Sequence, residues 1–382
     1  MLAVGMMSGT SLDGIDTALI EVAPRDEHYA VELLRFQTHP FDEALARQLH
    51  AALPPNSGSV ADVAELHRAL GEAFSRAAQQ IVGKARVGFV ASHGQTLWHD
   101  GARSITLQVG DPFIIRERVG ASVCYDFRSA DCAVGGQGAP LVPYVDALLF
   151  GSSDEDLLAI NIGGIANVSL VRKGKTETIA FDSGPGNMLM DAFVRERTDR
   201  QQAMDHDGAL AWRGTVDSTL LKAMLADEYF AQPPPKSTGR ERFGAQFLAR
   251  HHERLSQLSL EDGLATLAEL TAASIADAVR AFGFEPARAI LSGGGAHNRQ
   301  VVTRLAARLA PARIELSDTL GIPADAKEAI TFALLGYETL RGRVANLPHA
   351  TGAREAVCLG AIAPYRLSEL LAAVERECRA SS

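Results

Sequence analysis

The residues best suited to chemistry near the N-terminus are small ones, in the stretch GMMSGTSLDGID at 5–16. Strands at 2–5 and 17–22 flank this stretch, so we expect it to form a hairpin turn. Small residues let backbone N–H groups and hydroxyls approach a ligand closely, and successive N–H groups in a turn bind anions. The stretch lacks the Gly-Lys-Ser/Thr of a Walker A loop. Two interpretations therefore stand, a phosphate-binding hairpin and a Gly/Ser hairpin without a ligand.

A second stretch of the same kind follows at 157–173, with the sequence LLAINIGGIANVSLVRK. It is predicted to form a strand, a glycine turn and a second strand, as 2–22 does. Two such hairpins in the two halves of one chain suggest a duplicated fold. Together they could hold one phosphate chain from both sides.

Two carboxylates occupy positions where they could act on a ligand. Asp182 ends the predicted strand 176–182 and is followed by SGPGN, so it could serve as a general base. The alternative is that it caps the predicted helix 187–195. Glu328 falls in the first turn of the predicted helix 324–341, where favourable interaction with the helix dipole is the alternative to a functional role.

Other polar groups follow predicted strands, which is a usual ligand position in open α/β sheets. His93, Gly94, Gln95 and Thr96 follow the strand 86–92. The sequence SGGGAHN at 292–298 follows the strand 287–291, and its bare backbone suits a nucleotide base or ribose. Arg128 lies in the Gly- and Pro-rich stretch 126–143, which we interpret as the crossing into a second lobe. Its alternative role is a solvated linker arginine.

The elements that position these residues alternate between strand and helix in both halves. This alternation predicts an α/β fold of two similar lobes with a cleft between them. Apolar residues at helical spacing predict the longer helices, which we place at 41–54, 61–82, 244–256 and 264–282.

Composition limits the function classes. The chain has 382 residues, 47% of them hydrophobic, which is enough for two domains with their own cores. Its formal net charge of −9 disfavours nucleic acid or an acidic membrane as a partner. The four cysteines are scattered, without a C-x-x-C pair. With no leader-like segment or apolar span in the sequence, we expect a reducing, cytoplasmic location.

Several of these motifs occur in one order and resemble the anhydro-N-acetylmuramic acid kinase family, which belongs to the actin/hexokinase/Hsp70 superfamily of ATP-binding folds. The resemblance covers residues 5 to about 360 and rests on the set rather than on any one motif. The motifs are GMMSGTSLDGID, SHGQTLWH, QVGDP, DFRSADCAVGGQGAPLVP, NIGGIANVS, FDSGPGN, PPPKSTGRERFG, LSGGGAHN and DAKEAITFALLG.

The resemblance implies two RNase H-like lobes and a sugar kinase of peptidoglycan recycling and amino-sugar catabolism. The implied reaction opens the anhydro ring of 1,6-anhydro-N-acetylmuramic acid with water and phosphorylates O6 with ATP. Asp182 is the implied base, assisted by Glu328. Gln95, Thr96 and Arg128 are expected to line the sugar pocket. The expected ATP-binding residues are Gly9, Thr10, Ser11, Leu12, Asp13, Gly14, Ile15 and Asp16 in the first hairpin, Asn161, Gly163, Gly164 and Asn167 in the second, and Gly293, Gly294, Gly295 and Asn298.

The resemblance also implies Mg²⁺ and a homodimer. Many superfamily members carry an aspartate in D-x-G-G-T at the end of the first strand, but this chain has Met6-Met7-Ser8-Gly9-Thr10 there. Asp13 and Asp182 are candidates for ordering the magnesium shell, and we assign no direct protein ligand. The expected first lobe is 1–131 plus 350–382, and the expected second lobe is 132–349.

Three other functions remain open at this point. A metallohydrolase could use His93, His99, Asp205, His206 and Asp207, although His93 and His99 lack the i, i+4 spacing of helical metal ligands. A non-catalytic ATP-dependent scaffold or filament would leave the sugar-site residues without a purpose. A kinase for a different sugar would keep every nucleotide motif, because specificity lies in the loops of 92–143.

Overall fold

The computed structural model describes residues 1–9, 12, 14–25, 28–53, 58–150, 155–173 and 178–380. None of the helices in these ranges is long and apolar enough to cross a membrane. The strands are β1 (Leu2–Ser8), β2 (Gly14–Arg25), β3 (His28–Pro40), β4 (Phe89–Asp100), β5 (Ile105–Val109), β6 (Ser122–Tyr125), β7 (Leu157–Ile162), β8 (Ile165–Val171), β9 (Thr178–Pro185), β10 (Arg288–Ser292), β11 (Arg313–Leu316) and β12 (Ala361–Ala363).

The helices vary from one turn to six. They are α1 (Glu43–Ala52), α2 (Val60–Val82), α3 (Pro112–Val119), α4 (Ser129–Ala133), α5 (Val142–Phe150), α6 (Met188–Arg197), α7 (Ser218–Leu225), α8 (Glu228–Ala231), α9 (Arg240–Phe243), α10 (Ala245–Arg250), α11 (His252–Leu255), α12 (Leu260–Ala281), α13 (Arg299–Leu309), α14 (Lys327–Arg341), α15 (Pro348–Thr351) and α16 (Leu367–Ala380).

The chain divides into two compact units. Unit 1 comprises Met1–Leu149 and Ala326–Ser382, and unit 2 comprises Phe150–Asp325. The sequence predicted that the chain passes from one lobe to the other at 131/132 and 349/350. In the structure it does so at 149/150 and 325/326. The stretch 126–143 was expected to be the crossing, but it contains α4 and the start of α5 and lies inside unit 1.

The sheet of unit 1 runs in the order β12-β6-β4-β1-β2-β3, and β5 pairs with β4. The β1–β2 and β2–β3 pairs are antiparallel, whereas β1–β4 and β4–β6 are parallel. Helix α2 packs its apolar face on this sheet, where Leu70 and Phe74 join Val4, Met6 and Val90 in one buried cluster. A capping box between Ser59 and Asp62 starts the helix.

The sheet of unit 2 repeats this pattern in the order β9-β8-β7-β10-β11. Its first two pairs are antiparallel and its last two are parallel, as are the corresponding pairs from β3 to β6 in unit 1, where β12 adds a further antiparallel strand. Helix α12 is buried along most of its length against this sheet, as expected for a helix in the interior of a domain. The expected fold class, α/β with a duplicated hairpin-based lobe, is confirmed by the shared strand order.

One strand of this pattern, β3, was not predicted from the sequence. It pairs with β2 over its whole length but forms the edge of the sheet. Most of its side chains from 32 to 40 are exposed or half-exposed. A strand that does not bury one face along its length shows little of the alternation of apolar and polar residues from which strands are predicted.

Helix α14 packs directly on the sheet of unit 1, and two glycines allow it to do so. A Cβ added at Gly5 on β1 would overlap the carbonyl oxygen of Ala329 in α14. A Cβ at Gly336 in α14 would lie 2.7 Å from the Cβ of Ala91 on β4. This close packing explains why 326–349, expected in the second lobe, belongs to unit 1.

We expect Gly5→Ala to destabilise unit 1 by about 3 kcal/mol, because the helix backbone must move away from the sheet. The comparison variant is Gly283→Ala, where φ is 56° and no atom lies within 4 Å of the added Cβ. Only backbone strain of about 1 kcal/mol is introduced there. Urea denaturation measures both variants, and a Gly5→Ala midpoint at or above that of Gly283→Ala would contradict the packing argument.

Candidate active site

A row of polar residues crosses four strands of unit 2. Asp182 on β9 pairs with Asn167 on β8, Asn167 pairs with Asn161 on β7, and Asn161 pairs with Ser292 on β10. Residues that pair directly in a sheet carry their side chains on the same face. Ser292 Oγ donates a hydrogen bond of 3.3 Å to Asn161 Oδ1. The fold thus brings together residues that are distant in the sequence, two of them from the second hairpin.

Asp182 is held from both its backbone and its side chain. Its carboxylate Oδ2 accepts a hydrogen bond of 3.0 Å from the Thr238 N–H. Its own N–H donates to the Lys236 carbonyl at 3.2 Å, and its carbonyl accepts from the Tyr229 hydroxyl at 2.7 Å. The side chain is 7% exposed. The carboxylate therefore has a fixed position and direction.

Asp182 does not cap the following helix. It lies inside β9, and α6 begins at Met188 with Asn187 as its N-cap residue. The capping alternative is therefore wrong, and the buried carboxylate needs another explanation.

Lys236 supplies a buried positive charge in the loop that holds Asp182. Its Nζ donates to the Tyr229 carbonyl at 3.2 Å and lies 4.6 Å from the centre of the Tyr229 ring and 5.6 Å from that of Phe181. Burial lowers the pKa of Lys236, and the negative charge of Asp182 opposes this change. Lys236 and Thr238 were not predicted as site residues, because more than fifty residues of sequence separate them from Asp182.

Two oxygen atoms near Asp182 are buried without a hydrogen-bond partner in the described part of the chain. They are Oδ1 of Asn167, its strand neighbour, and Oγ1 of Thr238, whose N–H binds the carboxylate. Buried polar atoms usually have hydrogen-bond partners, and a buried atom without one in the protein is expected to bind a ligand or a water. The residues around Asp182 therefore fit a polar ligand.

The turn of the second hairpin is braced by the start of α6. The carbonyl of Gly163 accepts from the Asn187 N–H at 2.8 Å, and that of Gly164 accepts from the Met188 N–H at 3.2 Å. A Cβ at Gly163 would meet only the Ile165 oxygen, at 3.6 Å, so this side of the turn is open. The turn thus leaves space for a phosphate group to approach its backbone. Phosphate binding by this turn remains a prediction.

The glycine turn after β10 packs against the end of β7. Gly293 has a φ of 77°, and a Cβ there would lie 2.8 Å from both Asn161 Oδ1 and the Ile162 carbonyl. Gly295 packs still more closely on Ile162, with a Cβ there 2.2 Å from Ile162 Cγ2, whereas a Cβ at Gly294 would meet only Asn187 Nδ2 at 3.8 Å. Gly294 is therefore the most open of the three predicted adenosine contacts.

Asn298 has a structural task of its own. Its Oδ1 accepts from the N–H groups of Gln300 and Val301 and so caps α13. The side chain is buried, and Nδ2 faces the sulfur of Met190 at 3.9 Å. This capping role is sufficient to explain why an asparagine occupies the position. The contact between Asn298 and adenosine remains a prediction.

The first hairpin lies in unit 1 and is held by two side chains. Ser8 Oγ donates to the Gly14 carbonyl at 2.8 Å, and Gln95 Nε2 donates to the Gly9 carbonyl at 3.4 Å. The Ile15 side chain is 2% exposed in the core, so only its backbone could face ATP. Asp16 accepts a hydrogen bond from Thr38. The predicted contacts Thr10, Ser11 and Asp13 lie outside the described residues.

The three predicted sugar residues share one region of unit 1. Gln95 and Thr96 are neighbours on β4, and Thr96 Oγ1 accepts from Gln108 Nε2 at 3.1 Å. Arg128 Nε donates to His93 Nε2 at 2.9 Å, and its Nη1 donates to the Gly138 carbonyl at 2.6 Å. The Oε1 of Gln95 is buried without a partner among the described residues. This region therefore also fits a polar ligand.

Glu328, the second predicted catalytic residue, lies in the first turn of α14 and is half-buried. It belongs to unit 1, whereas Asp182 belongs to unit 2. The preceding residue, Lys327, is buried with its ammonium 2.7 Å from the Asp146 carboxylate. A functional role for Glu328 remains a prediction.

The residues proposed for a metallohydrolase are not gathered into a metal site. Within the described ranges, no three side chains of His, Cys, Asp or Glu are placed to hold one ion. His93 Nε2 is occupied by Arg128. Burial and the charge of Arg128 lower the pKa of His99 to about 4, so its imidazole is neutral at pH 7. The geometry gives this alternative no support.

Two α/β units of one strand order, each with a hairpin at the end of its central strand, have the duplicated architecture expected of the actin/hexokinase class of ATP-binding folds. The family within this class follows from the sequence. The model of the family described as anhydro-N-acetylmuramic acid kinase matches residues 1–365. The chain belongs to this family.

Individual relatives agree with the family match. The chain is 44% identical to the anhydro-N-acetylmuramic acid kinase of Gloeobacter violaceus over 375 residues, which cover 95% of this chain and 98% of the relative. It is 43% identical to that of Streptomyces coelicolor, covering 96% and 94% of the two chains. The corresponding protein of Caldanaerobacter subterraneus is 39% identical, covering 94% and 96%.

Proposed function

We propose that this protein is an ATP-dependent kinase that opens the 1,6-anhydro ring of 1,6-anhydro-N-acetylmuramic acid with water and phosphorylates O6. The products are N-acetylmuramic acid 6-phosphate and ADP. Membership of the family over residues 1–365 supports the substrate. The geometric observation that carries the reaction is the buried Asp182 carboxylate, which the Thr238 N–H fixes beside two buried oxygens that have no hydrogen-bond partner in the described part of the chain.

The substrate explains why a kinase would need a base for water. In the anhydro sugar O6 is bonded to C1, so there is no 6-hydroxyl proton to remove. Water must attack C1 while the C1–O6 bond breaks and O6 takes the γ-phosphoryl group. The water proton passes to Asp182, and ADP leaves. General-base assistance of this kind contributes about 10²–10⁴-fold in rate.

The remaining predicted residues share the binding of the two substrates. The first hairpin and the turn 163–164 would contact the phosphates of ATP through backbone N–H groups. The glycine turn 293–295 would face the adenosine, because its bare backbone suits a nucleotide base or ribose. Gln95 and Thr96 would bind sugar hydroxyls, and Glu328 would help to hold the water or the sugar. Arg128 would pair with the lactyl carboxylate, because a guanidinium held through Nε and Nη1 presents a fixed fork.

Magnesium would accompany ATP and neutralise phosphate charge. Mg²⁺ in such sites keeps several waters and needs only one or two carboxylates besides the phosphates, so a three-residue cluster is not required. We assign no protein ligand. The proposal also includes a homodimer and a cytoplasmic location, where the four cysteine thiols would remain reduced.

ADP release tests the proposal when several sugars are compared. With ATP and Mg²⁺, we expect 1,6-anhydro-N-acetylmuramic acid to stimulate ADP release well above its rates with N-acetylmuramic acid, glucose or no sugar. Faster turnover with another sugar would identify a different kinase. Turnover independent of any sugar would favour the scaffold or filament alternative.

A further inference from the structure

His93 occupies a buried position beside the predicted sugar residues. It lies on β4, two residues before Gln95, and is 4% exposed. Its ring packs on that of Phe332 in α14, with 4.5 Å between ring centres and 34° between planes. Phe332 packs in turn on Phe127, 5.6 Å away. Aromatic contacts therefore fix the plane of the imidazole.

The hydrogen bonds of His93 define its tautomer. Arg128 Nε carries a hydrogen and can only donate, so His93 Nε2, at 2.9 Å, must accept. The proton then lies on Nδ1, which donates to the Gly94 carbonyl at 3.0 Å. Both ring nitrogens are used, and the ring is neutral in this arrangement.

The surroundings favour this neutral form. Burial lowers the pKa of His93 well below its ordinary value, and the positive charge of Arg128 lowers it further. A protonated ring would place two positive charges against each other and would lose the acceptor at Nε2. The neutral imidazole is thus a stable acceptor for the arginine.

The guanidinium of Arg128 is held at two of its nitrogen atoms. His93 accepts from Nε, and the carbonyl of Gly138 accepts from Nη1 at 2.6 Å. These two contacts approach from segments far apart in the sequence and fix the plane of the guanidinium. A guanidinium with a fixed plane recognises a carboxylate with less loss of conformational entropy than a mobile one.

We propose that His93 is a positioning residue for Arg128: it does not touch the sugar but fixes the guanidinium that binds the sugar's carboxylate. This inference rests on the proposed function, because the carboxylate belongs to the proposed substrate. It assigns His93 to substrate specificity rather than to metal binding or to proton transfer.

Two variants separate this role from simple packing. His93→Phe keeps a ring against Phe332 but removes the acceptor, whereas His93→Gln restores an oxygen acceptor at similar reach. We expect His93→Phe to raise KM for the anhydro sugar by about tenfold or more, as loss of a hydrogen bond to a charged group predicts. KM for ATP should change by less than about twofold, and His93→Gln should recover most of the sugar KM.

Combining the substitution with Arg128→Ala tests whether His93 acts through the arginine. If it does, His93→Phe should change the sugar KM of Arg128→Ala by less than about twofold, because its effect needs the guanidinium. Multiplicative effects in the double variant would overturn the inference, as would equal rises in both KM values or a His93→Gln variant no better than His93→Phe.

The same measurements separate this inference from the proposed function. A wild-type protein that does not turn over the anhydro sugar contradicts the proposed function before any variant is compared. A wild-type protein that does so, with His93→Phe unchanged in sugar KM, contradicts only the role of His93.

Discussion

Replacing Asp182 by asparagine should reduce turnover of the anhydro sugar by about 10²–10⁴-fold, the usual contribution of a general base. The amide keeps an oxygen that can accept the Thr238 N–H but cannot take a proton from water. Binding of ATP and of the sugar should change little, because shape and most hydrogen bonds are conserved. Steady-state kinetics give the loss in kcat, and calorimetric titration gives both affinities.

Asp217→Asn provides a matched control. This carboxylate also accepts backbone N–H groups, those of Thr219 and Leu220 at the start of α7, and it also lies in unit 2. Asparagine is an equally good cap but loses the ion pair that Asp217 forms with Arg254, so stability should fall by no more than about 1 kcal/mol and turnover should stay close to wild type. If Asp182→Asn retains near-wild-type turnover with unchanged folding, the base is another group.

Arg128→Ala should raise KM for the anhydro sugar by about ten- to a hundredfold, since a charge-assisted contact with the lactyl carboxylate is lost. KM for ATP should remain within about twofold, because ATP binding is assigned to other residues. Arg128→Lys should recover only part of the loss, since an ammonium keeps the charge but not the planar fork. Initial rates at varied concentrations of each substrate measure both constants.

Arg116→Ala is the control for Arg128→Ala. Arg116 also donates to a backbone carbonyl in unit 1, that of Pro364, at 3.4 Å, so its removal also costs a structural contact, although a weaker one. Neither KM should change appreciably in this variant. Equal rises in both KM values for Arg128→Ala would indicate that Arg128 supports the fold rather than the sugar.

The parts of the fold predicted from sequence are those with strong local signals. Both hairpins were predicted from small residues between alternating strands, and α2 and α12 from apolar residues at helical spacing. The shared strand order of the two units then confirms the duplication that the hairpins suggested.

The parts that were missed depend on tertiary context. Strand β3 lies at a sheet edge and buries too little to show a strand pattern. The unit limits differ from those expected because α14 packs on β1 at Gly5, a contact between residues more than three hundred positions apart. No local pattern reports such a contact.

The candidate site shows the same division. Asp182, Asn161 and Asn167 stood out in glycine-rich motifs, and the sheet places them side by side. Thr238 and Lys236 come from a distant loop, and only the structure reveals that they hold Asp182. The proline-rich sequence around Lys236 signalled a loop but not its partner.

The most direct test of the central claim, that water opens the anhydro ring as O6 is phosphorylated, is mass spectrometry of the product formed in ¹⁸O-labelled water. With the anhydro sugar, ATP and Mg²⁺, we expect a sugar 6-phosphate with one ¹⁸O atom at the anomeric carbon. Product made beforehand and incubated in labelled water corrects for exchange at that carbon. A phosphorylated sugar that keeps the anhydro bridge and carries no label would contradict the account and remove the role given to Asp182.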